Sequence, residues 1–484
     1  MTDTREIPAA PALVVRLADA ATVLLLFTAV WILATGGTRF LLSDVVISFR
    51  SPLLFLYAAV AVQIVRHLLL PSPSAWSRLD GWWARLMARD AVAATVRPFI
   101  ATRLAVFLAG FFAVIAFGLS PTPGFVLSRD PLANLPARFD AGWYGDIALD
   151  GYHWDYQFQR QRNIAFFPAL PMLMRPVGAV LGATDRTVPR ERRMLRMLWG
   201  GVVVSLIAFF GALSYLVRVG EDLIGPERAA TAALLLAAYP FSFFYSAPYT
   251  ESLFLLGATG AFYYFRREQW IASSLLGMLA GLSRPNGCFL SVPLGILALQ
   301  HAWRVARERG GTIDTVSARA GAVRLLVAGM PGIGMLVFTA YLYGLTGVWF
   351  AWMRSHEAWG RTYHGIEPFV TAFGWLRDEP LIQVVTNIPF NTLNTLGLLF
   401  AVALLVPVFR RLGLAWGVFV VVNIALPLFA GGVLSMGRLT STLFPLFLAL
   451  AAILPPRSVP SWAAAFGVMQ GLGAALFFTW RELF

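Results

Sequence analysis

The chain contains no lysine: all 38 of its basic residues are arginine. That bias points to a GC-rich coding sequence and a bacterial source, and it carries no information about mechanism. A single cysteine, Cys288, excludes an internal disulfide and any thiolate metal site. Charge is scarce as well. Only 13% of residues are charged and 58% are hydrophobic, with a mean hydropathy of +0.69; soluble chains carry about 25% charge. Such a chain cannot furnish a polar shell, so a soluble domain of ordinary size is excluded and one membrane domain is expected. The rows also lack a P-loop, a dinucleotide-binding glycine fingerprint and a nucleophile elbow. ATP-driven transport by this chain alone is therefore not expected. No H-x-x-x-H or comparable ligand spacing occurs, so no metal or other cofactor is expected. The net charge of +13 would suggest nucleic acid in a soluble protein. Here the arginines lie between apolar segments, as the positive-inside bias dictates, and no nucleic-acid partner is expected.

What is present is a series of apolar runs. A helix needs about 20 mostly apolar residues to cross a bilayer. Stretches near 17–36, 52–70, 98–119, 164–182, 197–217, 229–246, 250–265, 270–283, 286–303, 323–345, 391–409, 412–431, 438–455 and 461–480 are candidates. Several are short or broken by proline, so an all-α, multi-pass protein with about thirteen transmembrane helices is expected. Arg5 and Arg16 lead into the first run without a small-residue cleavage motif, which reads as a retained membrane helix.

The linkers sort by charge. Arg78, Arg85, Arg89 and Arg97 mark 71–97; Arg304, Arg307, Arg309, Arg319 and Arg324 mark 304–324; Arg410 and Arg411 make a short basic turn. All three are expected in the cytoplasm, which puts 120–163 and 347–390 outside. The count of crossings then fails once. The basic turn 183–196 (Arg186, Arg190, Arg192, Arg193, Arg196) fits the cytoplasm, but Arg266 and Arg267 then fall on the wrong side. One segment between 164 and 247 must not span simply. The suspects are 164–182, with Pro168, Pro171 and Pro176, and 229–246, with Pro240.

Five blocks carry chemistry. In the first, Asp140, Trp143, Tyr144 and Ile147 share one face of a short amphipathic helix, with Asp146, Asp150 and Asp155 nearby. Rings at the headgroup level would anchor it, leaving Asp140 toward a cavity; the plainer alternative is a solvated loop with an aromatic belt. The second block holds Glu251 at the edge of a span, costly unless it faces water or a partner, or else a helix N-terminal acid after Thr250. In the third, Ser283-Arg284-Pro285-Asn286-Gly287 interrupts two apolar half-helices. Arg284 there suits an anion such as a phosphate, or else pairs with a carboxylate or snorkels to the surface. The fourth is Trp352-Met353-Arg354-Ser355-His356-Glu357-Ala358-Trp359-Gly360-Arg361, and the fifth is Ser435-Met436-Gly437-Arg438 with Phe444-Pro445. His153, His356 and His364 all fall in the expected outer loops.

The run Phe139-Asp140-x-x-Trp143-Tyr144-x-x-Ile147-Ala148-x-x-Gly151-Tyr152, followed by Ala165-Phe166-Phe167-Pro168-x-x-Pro171, resembles the PIG-V-type mannosyltransferases. These are the second mannosyltransferases of GPI-anchor synthesis and their bacterial relatives, with the GT-C membrane fold. Four further blocks agree in order: Pro240 to Leu253, Ser283 to Gly287, Trp359-Gly360-Arg361, and Ser435 to Arg438 with Phe444-Pro445. The resemblance covers roughly 97–450. Phe139 departs from it, since the family usually has Trp there, and so do the extra spans before residue 97. The GPI acceptor does not carry over to a bacterial source. On this basis 1–96 is expected to hold extra transmembrane helices and a cytoplasmic linker, 97–455 a GT-C-like catalytic domain with outer juxtamembrane helices, and 456–484 a C-terminal transmembrane helix.

The resemblance implies a polyprenyl-phosphate sugar donor, transfer with inversion, and no nucleotide site. The expected site has Asp140 as general base and Arg284, Arg361 and Arg438 on the donor phosphate. Trp143, Tyr144, Asp146, Tyr152, Glu251 and Trp359 are expected to bind substrate, with a lipid, glycan or protein as acceptor. The expected location is the cell membrane, with the site on the extracytoplasmic face. Two other classes stay open from the residues alone: a secondary transporter or flippase, which broken helices and intramembrane Arg and Glu also suit, and a non-catalytic subunit of a glycosylation complex.

Overall fold

The computed structural model describes residues 9–35, 38–42, 45–49, 51–70, 81, 90–308, 315–363, 365, 367, 370, 377–380, 382–383, 389–481 and 483. Arg78, Arg85, Arg89, Arg309 and His364 lie outside the described residues. The chain divides into two compact units, Met1–Ala93 with Val180–Gly182, and Ala94–Ala179 with Ala183–Phe484.

In the smaller unit, α1 (Ala9–Thr35) packs against α2 (Pro52–Leu69). Gln63 of α2 donates to Asp19 at 3.2 Å and to Thr22 at 2.8 Å, so the polar side chains of two apolar helices satisfy one another. Between the helices, β1 (Thr38–Leu42) and β2 (Val45–Phe49) pair antiparallel, with Leu42 opposite Val45. This short hairpin is the exception to an otherwise helical fold among the described residues.

The larger unit takes in α3 (Asp90–Phe117) from Ala94 on, α4 (Ala141–Asp150), α5 (Ala169–Val180) up to Ala179, α6 (Arg190–Ile224) and α7 (Pro226–Ala238). It continues with α8 (Glu251–Arg266), α9 (Trp270–Ser283), α10 (Ser291–Glu308), α11 (Thr315–Thr346) and the short α12 (Ala351–Ser355). It closes with α13 (Pro389–Arg411), α14 (Leu414–Gly431), α15 (Met436–Ser441), α16 (Phe444–Ile453) and α17 (Val459–Phe478). Across the described residues of both units, eight helical segments are long and apolar enough to cross a membrane, and four shorter apolar stretches lie at Leu17–Ala29, Ala169–Val180, Trp270–Ser283 and Phe444–Ile453.

The failed crossing count has a structural answer. Arg190, at the first position of α6, is 2.7 Å from both Asp146 and Asp150 of α4. The start of α6 therefore lies at the same end of the bundle as Asp140. The intervening α5 has 12 residues and contains Pro176; it rises only about 18 Å, short of the ~30 Å hydrocarbon core. So α5 enters and leaves at one end, and the basic turn 183–196 does not lie opposite 120–163 as the arginines suggested. Charge pairing is the reason: Asp146 and Asp150 hold Arg190, and the Ala183 carbonyl accepts from Arg193 at 3.0 Å. Beyond it, α6 crosses, and the chain returns to the Asp140 end through α7 together with the segment 239–250, because Glu251 meets Arg438 there. The C-terminus of α8 then meets that of α6, where Arg267 and Asp222 pair at 2.9 Å. Arg266 and Arg267 therefore fall at the end opposite Asp140, and so do Arg410 and Arg411 at the C-terminus of α13, since Asn394 near its N-terminus accepts from Gly437 N beside Arg438 at 2.9 Å.

The other suspect, 229–246, does break. Gly225, at φ 86°, separates α6 from α7, and Pro226 opens α7. Pro240 forbids further helix from Tyr239, so α7 stops at Ala238 and a 3-10 turn follows at Ser242–Ser246. The stranded carbonyls find buried donors. Arg103 of α3 bonds Ala237 O at 3.0 Å and Ser242 O at 2.7 Å, and Gln470 of α17 bonds Ala237 O at 2.8 Å and Tyr239 O at 3.1 Å. A broken helix is tolerated in a membrane protein where such partners replace the lost ladder.

Candidate active site

Two close backbone contacts shape the turn that carries Arg284. A Cβ on Gly281 would stand 1.9 Å from Pro331 O, and one on Gly287 1.9 Å from Ala280 O. Glycine at both places lets α9 and α11 touch and folds the chain back after Ser283. Arg284 is thereby fixed at the C-cap of α9, 7% exposed. Asp140 caps the N-terminus of α4 without bonding it through its side chain, so its carboxylate is left for other partners. Its backbone N–H donates to the Tyr249 hydroxyl at 3.1 Å, and that hydroxyl donates to Arg138 O at 3.3 Å. Glu251 opens α8 and is fully buried; Arg438 lies in α15.

These elements bring together residues far apart in the chain. Arg438 Nη1 donates to Asp140 Oδ2 at 2.9 Å while its Nε donates to Glu251 Oε1 at 2.5 Å. Arg284 Nη2 reaches the same Glu251 oxygen at 3.3 Å. Glu251 is thus the buried anchor for two guanidiniums, and removing one member of such a buried set costs about 3–5 kcal/mol. Burial alone would weaken the charge of Arg438, but Glu251 and Asp140 outweigh it and raise its pKa above the ordinary arginine value. Arg361 contrasts with it. Its one hydrogen bond among the described residues is to Leu434 O at 3.2 Å, and burial and the repulsion of Arg438, only partly offset by Asp140, lower its pKa to about 10. The Nη1 of Arg284 is buried and has no hydrogen-bond partner among the described residues. The donors left over for an anion are therefore on Arg361 and Arg284.

A cavity of about 890 Å³ opens above this cluster. Asp140, Arg284, Arg361, Arg438, His356 and Gln161 form its polar part. Phe289, Met335, Leu426, Pro427, Ala430 and Leu434 form an apolar part. Aromatic rings complete the lining: Trp143 stacks on Phe166 at 5.7 Å, and Trp359 stands edge-on to Trp143 at 5.9 Å. Three lining residues that are not glycine have left-handed backbones, Phe139 (φ 43°), Phe350 (φ 52°) and Ser435 (φ 62°). Each costs about 1–2 kcal/mol and is held by packing around it; the Phe139 ring, for one, packs 4.5 Å from that of Trp480.

Of the residues singled out in the sequence, Asp140, Trp143, Tyr144, Arg284, Trp359, Arg361 and Arg438 line the cavity. Glu251 lies beneath it. Asp146 and Tyr152 do not line it: Asp146 faces Arg190 and Asn163, and the Tyr152 hydroxyl bonds Phe166 O at 2.8 Å while its ring packs on Phe338. Sequence reasoning passed over Tyr249, although it stands in the Tyr-Thr-Glu-Ser block, and named His356 only as an outer-loop histidine. Among the described residues no three His, Cys, Asp or Glu side chains cluster in a way that could hold a metal.

Residues 123–344, just under half of the chain, match the family model described as Mannosyltransferase (PIG-V). The matched segment contains Asp140, Trp143, Tyr144, Glu251 and Arg284. No curated protein sequence matches the chain significantly. Among solved structures, ArnT from Cupriavidus metallidurans bound to undecaprenyl phosphate is similar at 13% identity and a TM-score of 0.38, over 80% of this chain and 76% of that one. Residues 123–344 thus match the PIG-V mannosyltransferase family, and the chain is a multi-pass membrane glycosyltransferase.

Proposed function

We propose that the protein transfers a hexose, mannose by the family it matches, from a polyprenyl-phosphate carrier to an acceptor hydroxyl, with inversion and with Asp140 as general base. The observation that carries this reading is the pairing of Asp140 with Arg438 at 2.9 Å on the wall of a cavity that also holds Arg284 and Arg361. Asp140 spends Oδ2 on Arg438, and among the described residues its Oδ1 makes no hydrogen bond. That oxygen accepts the proton of the acceptor hydroxyl as the acceptor oxygen attacks the anomeric carbon. The bond from that carbon to the phosphate oxygen breaks, and the electron pair leaves with the lipid phosphate. Three guanidiniums against two carboxylates leave one positive charge to meet it, and the unspent donors of Arg361 and Arg284 suit the phosphate oxygens. The apolar part of the cavity suits the first isoprene units of the carrier. A single displacement needs no enzyme nucleophile.

The arginines also support a side. Arg266, Arg267, Arg410 and Arg411 gather at the end opposite Asp140, the end the positive-inside bias assigns to the cytoplasm. The cavity then opens on the extracytoplasmic face of the cell membrane.

The test is transfer of labelled mannose from polyprenyl-phosphate-mannose in membranes, wild type against Asp140→Asn at matched expression. The variant is expected to lose at least about 100-fold in rate, the usual contribution of a general base. Near-normal transfer by Asp140→Asn would remove the base. No transfer by the wild type from this donor, nor from glucose-, galactose- or arabinose-phosphate lipids, would point instead to a non-catalytic subunit.

A further inference from the structure

His356 lies in a 3-10 turn, His356–Trp359, outside the apolar crossing helices. Its Nδ1 is 2.6 Å from the carbonyl oxygen of Trp352. A carbonyl only accepts, so Nδ1 carries the hydrogen, and in the neutral ring Nε2 is left as an acceptor. Burial favours the neutral ring, lowering its pKa below the ordinary histidine value, and the Trp352 carbonyl opposes this only in part. The orientation is fixed from behind. Trp352 is itself pinned by its indole N–H to Thr339 Oγ1 at 2.9 Å, and its ring stands at 89° to the imidazole. Among the described residues no hydrogen bond uses Nε2, and the residue lines the cavity.

Its neighbours locate it within the site. The imidazole lies within electrostatic reach of both Asp140 and Arg361, and its ring centroid is 6.4 Å from that of Trp359. Under the proposed reaction the sugar must lie between the base and the phosphate-binding guanidiniums, with its apolar face against an aromatic ring. The imidazole stands beside that position, and nothing in the base or phosphate chemistry uses it.

We propose that His356 is a specificity-determining residue, whose Nε2 accepts a hydrogen bond from one ring hydroxyl of the transferred sugar while Trp359 packs against the same sugar. This rests on the donor reading above. A site built to accept from a hydroxyl discriminates against the analogue that lacks it, because its own polar atom is then left unpaired.

The experiment compares polyprenyl-phosphate-mannose with its 2-, 3-, 4- and 6-deoxy analogues as donors in membranes, for the wild type, His356→Phe and His356→Gln. The wild type is expected to use one of these analogues at least about tenfold less well than the parent in kcat/KM. In His356→Phe the parent falls toward that analogue, chiefly through KM, and the ratio between the two approaches one. His356→Gln, which can still accept, restores part of it. A general structural defect would lower every donor alike and leave the ratio unchanged. A wild-type enzyme that transfers mannose, together with a His356→Phe ratio equal to the wild type's, overturns the inference and leaves the donor reading standing. Should His356→Phe fail to accumulate, an unchanged ratio in His356→Gln overturns it equally. Failure of the wild type to use any lipid-phosphate sugar overturns the donor reading itself.

Discussion

Arg103 is a buried guanidinium of the larger unit, at the break after α7, and Arg438 a largely buried one, its side chain 12% exposed, at the cavity. Arg103 spends its donors on Ala237 O and Ser242 O, carbonyls at an interrupted helix, and on the Ser246 hydroxyl. Arg438 spends its donors on two carboxylates from elements that are remote in sequence, α4 and α8. The first arrangement repairs the backbone and involves no counter-charge. The second holds charges of both signs at a cavity wall beside two further guanidiniums with donors to spare. Burial of an arginine in a membrane protein therefore does not by itself mark a site. What marks one is the kind of acceptor it meets and the donors that remain.

Three substitutions would break or sharpen that contrast. Arg103→Met should cost about 3 kcal/mol or more, since several buried acceptors lose a charged donor at once. Thermal unfolding in detergent reads this, and the folded fraction should keep its kcat; an unchanged midpoint would mean that water repairs the break equally well. Arg361→Ala should raise KM for the lipid-linked donor by roughly 10- to 100-fold, as expected for lost hydrogen bonds to a charged group, and leave stability within about 1 kcal/mol. A stability loss with unchanged KM would move Arg361 to the side of Arg103. The smallest effect belongs to Asp146→Asn. Its partner Arg190 is 54% exposed, and such pairs contribute about 0–1 kcal/mol, so transfer should stay within about fivefold of the wild type. A larger loss in a transfer assay would return Asp146 to the substrate-binding residues.

Much of this molecule could be read from its sequence, because hydropathy and proline placement act locally. The run 286–303 and the helix Ser291–Glu308 overlap, as do 391–409 and Pro389–Arg411. The crossing count was legible as an error but not as a cause. The decisive contact joins Arg190 to Asp146 and Asp150 across 40 or more residues, and the positive-inside bias counts arginines without asking what neutralises them. The members of the site were legible as polar residues in costly places. Their division of labour was not: that Arg438 bridges Asp140 and Glu251 depends on packing across 298 and 187 residues. The left-handed backbones of Phe139 and Ser435 were also hidden, since neither residue type announces that conformation.

The backbone N–H of Ser120 donates to Thr479 O at 2.8 Å. That bond, with the one from Arg138 Nε to Phe478 O at 2.7 Å, ties the stretch leading to Asp140 to the end of α17. A label attached just past α17 would therefore share a compartment with the mouth of the cavity. Whether a membrane-impermeant reagent reaches such a label reads out the orientation of the chemistry without substrate, product or activity.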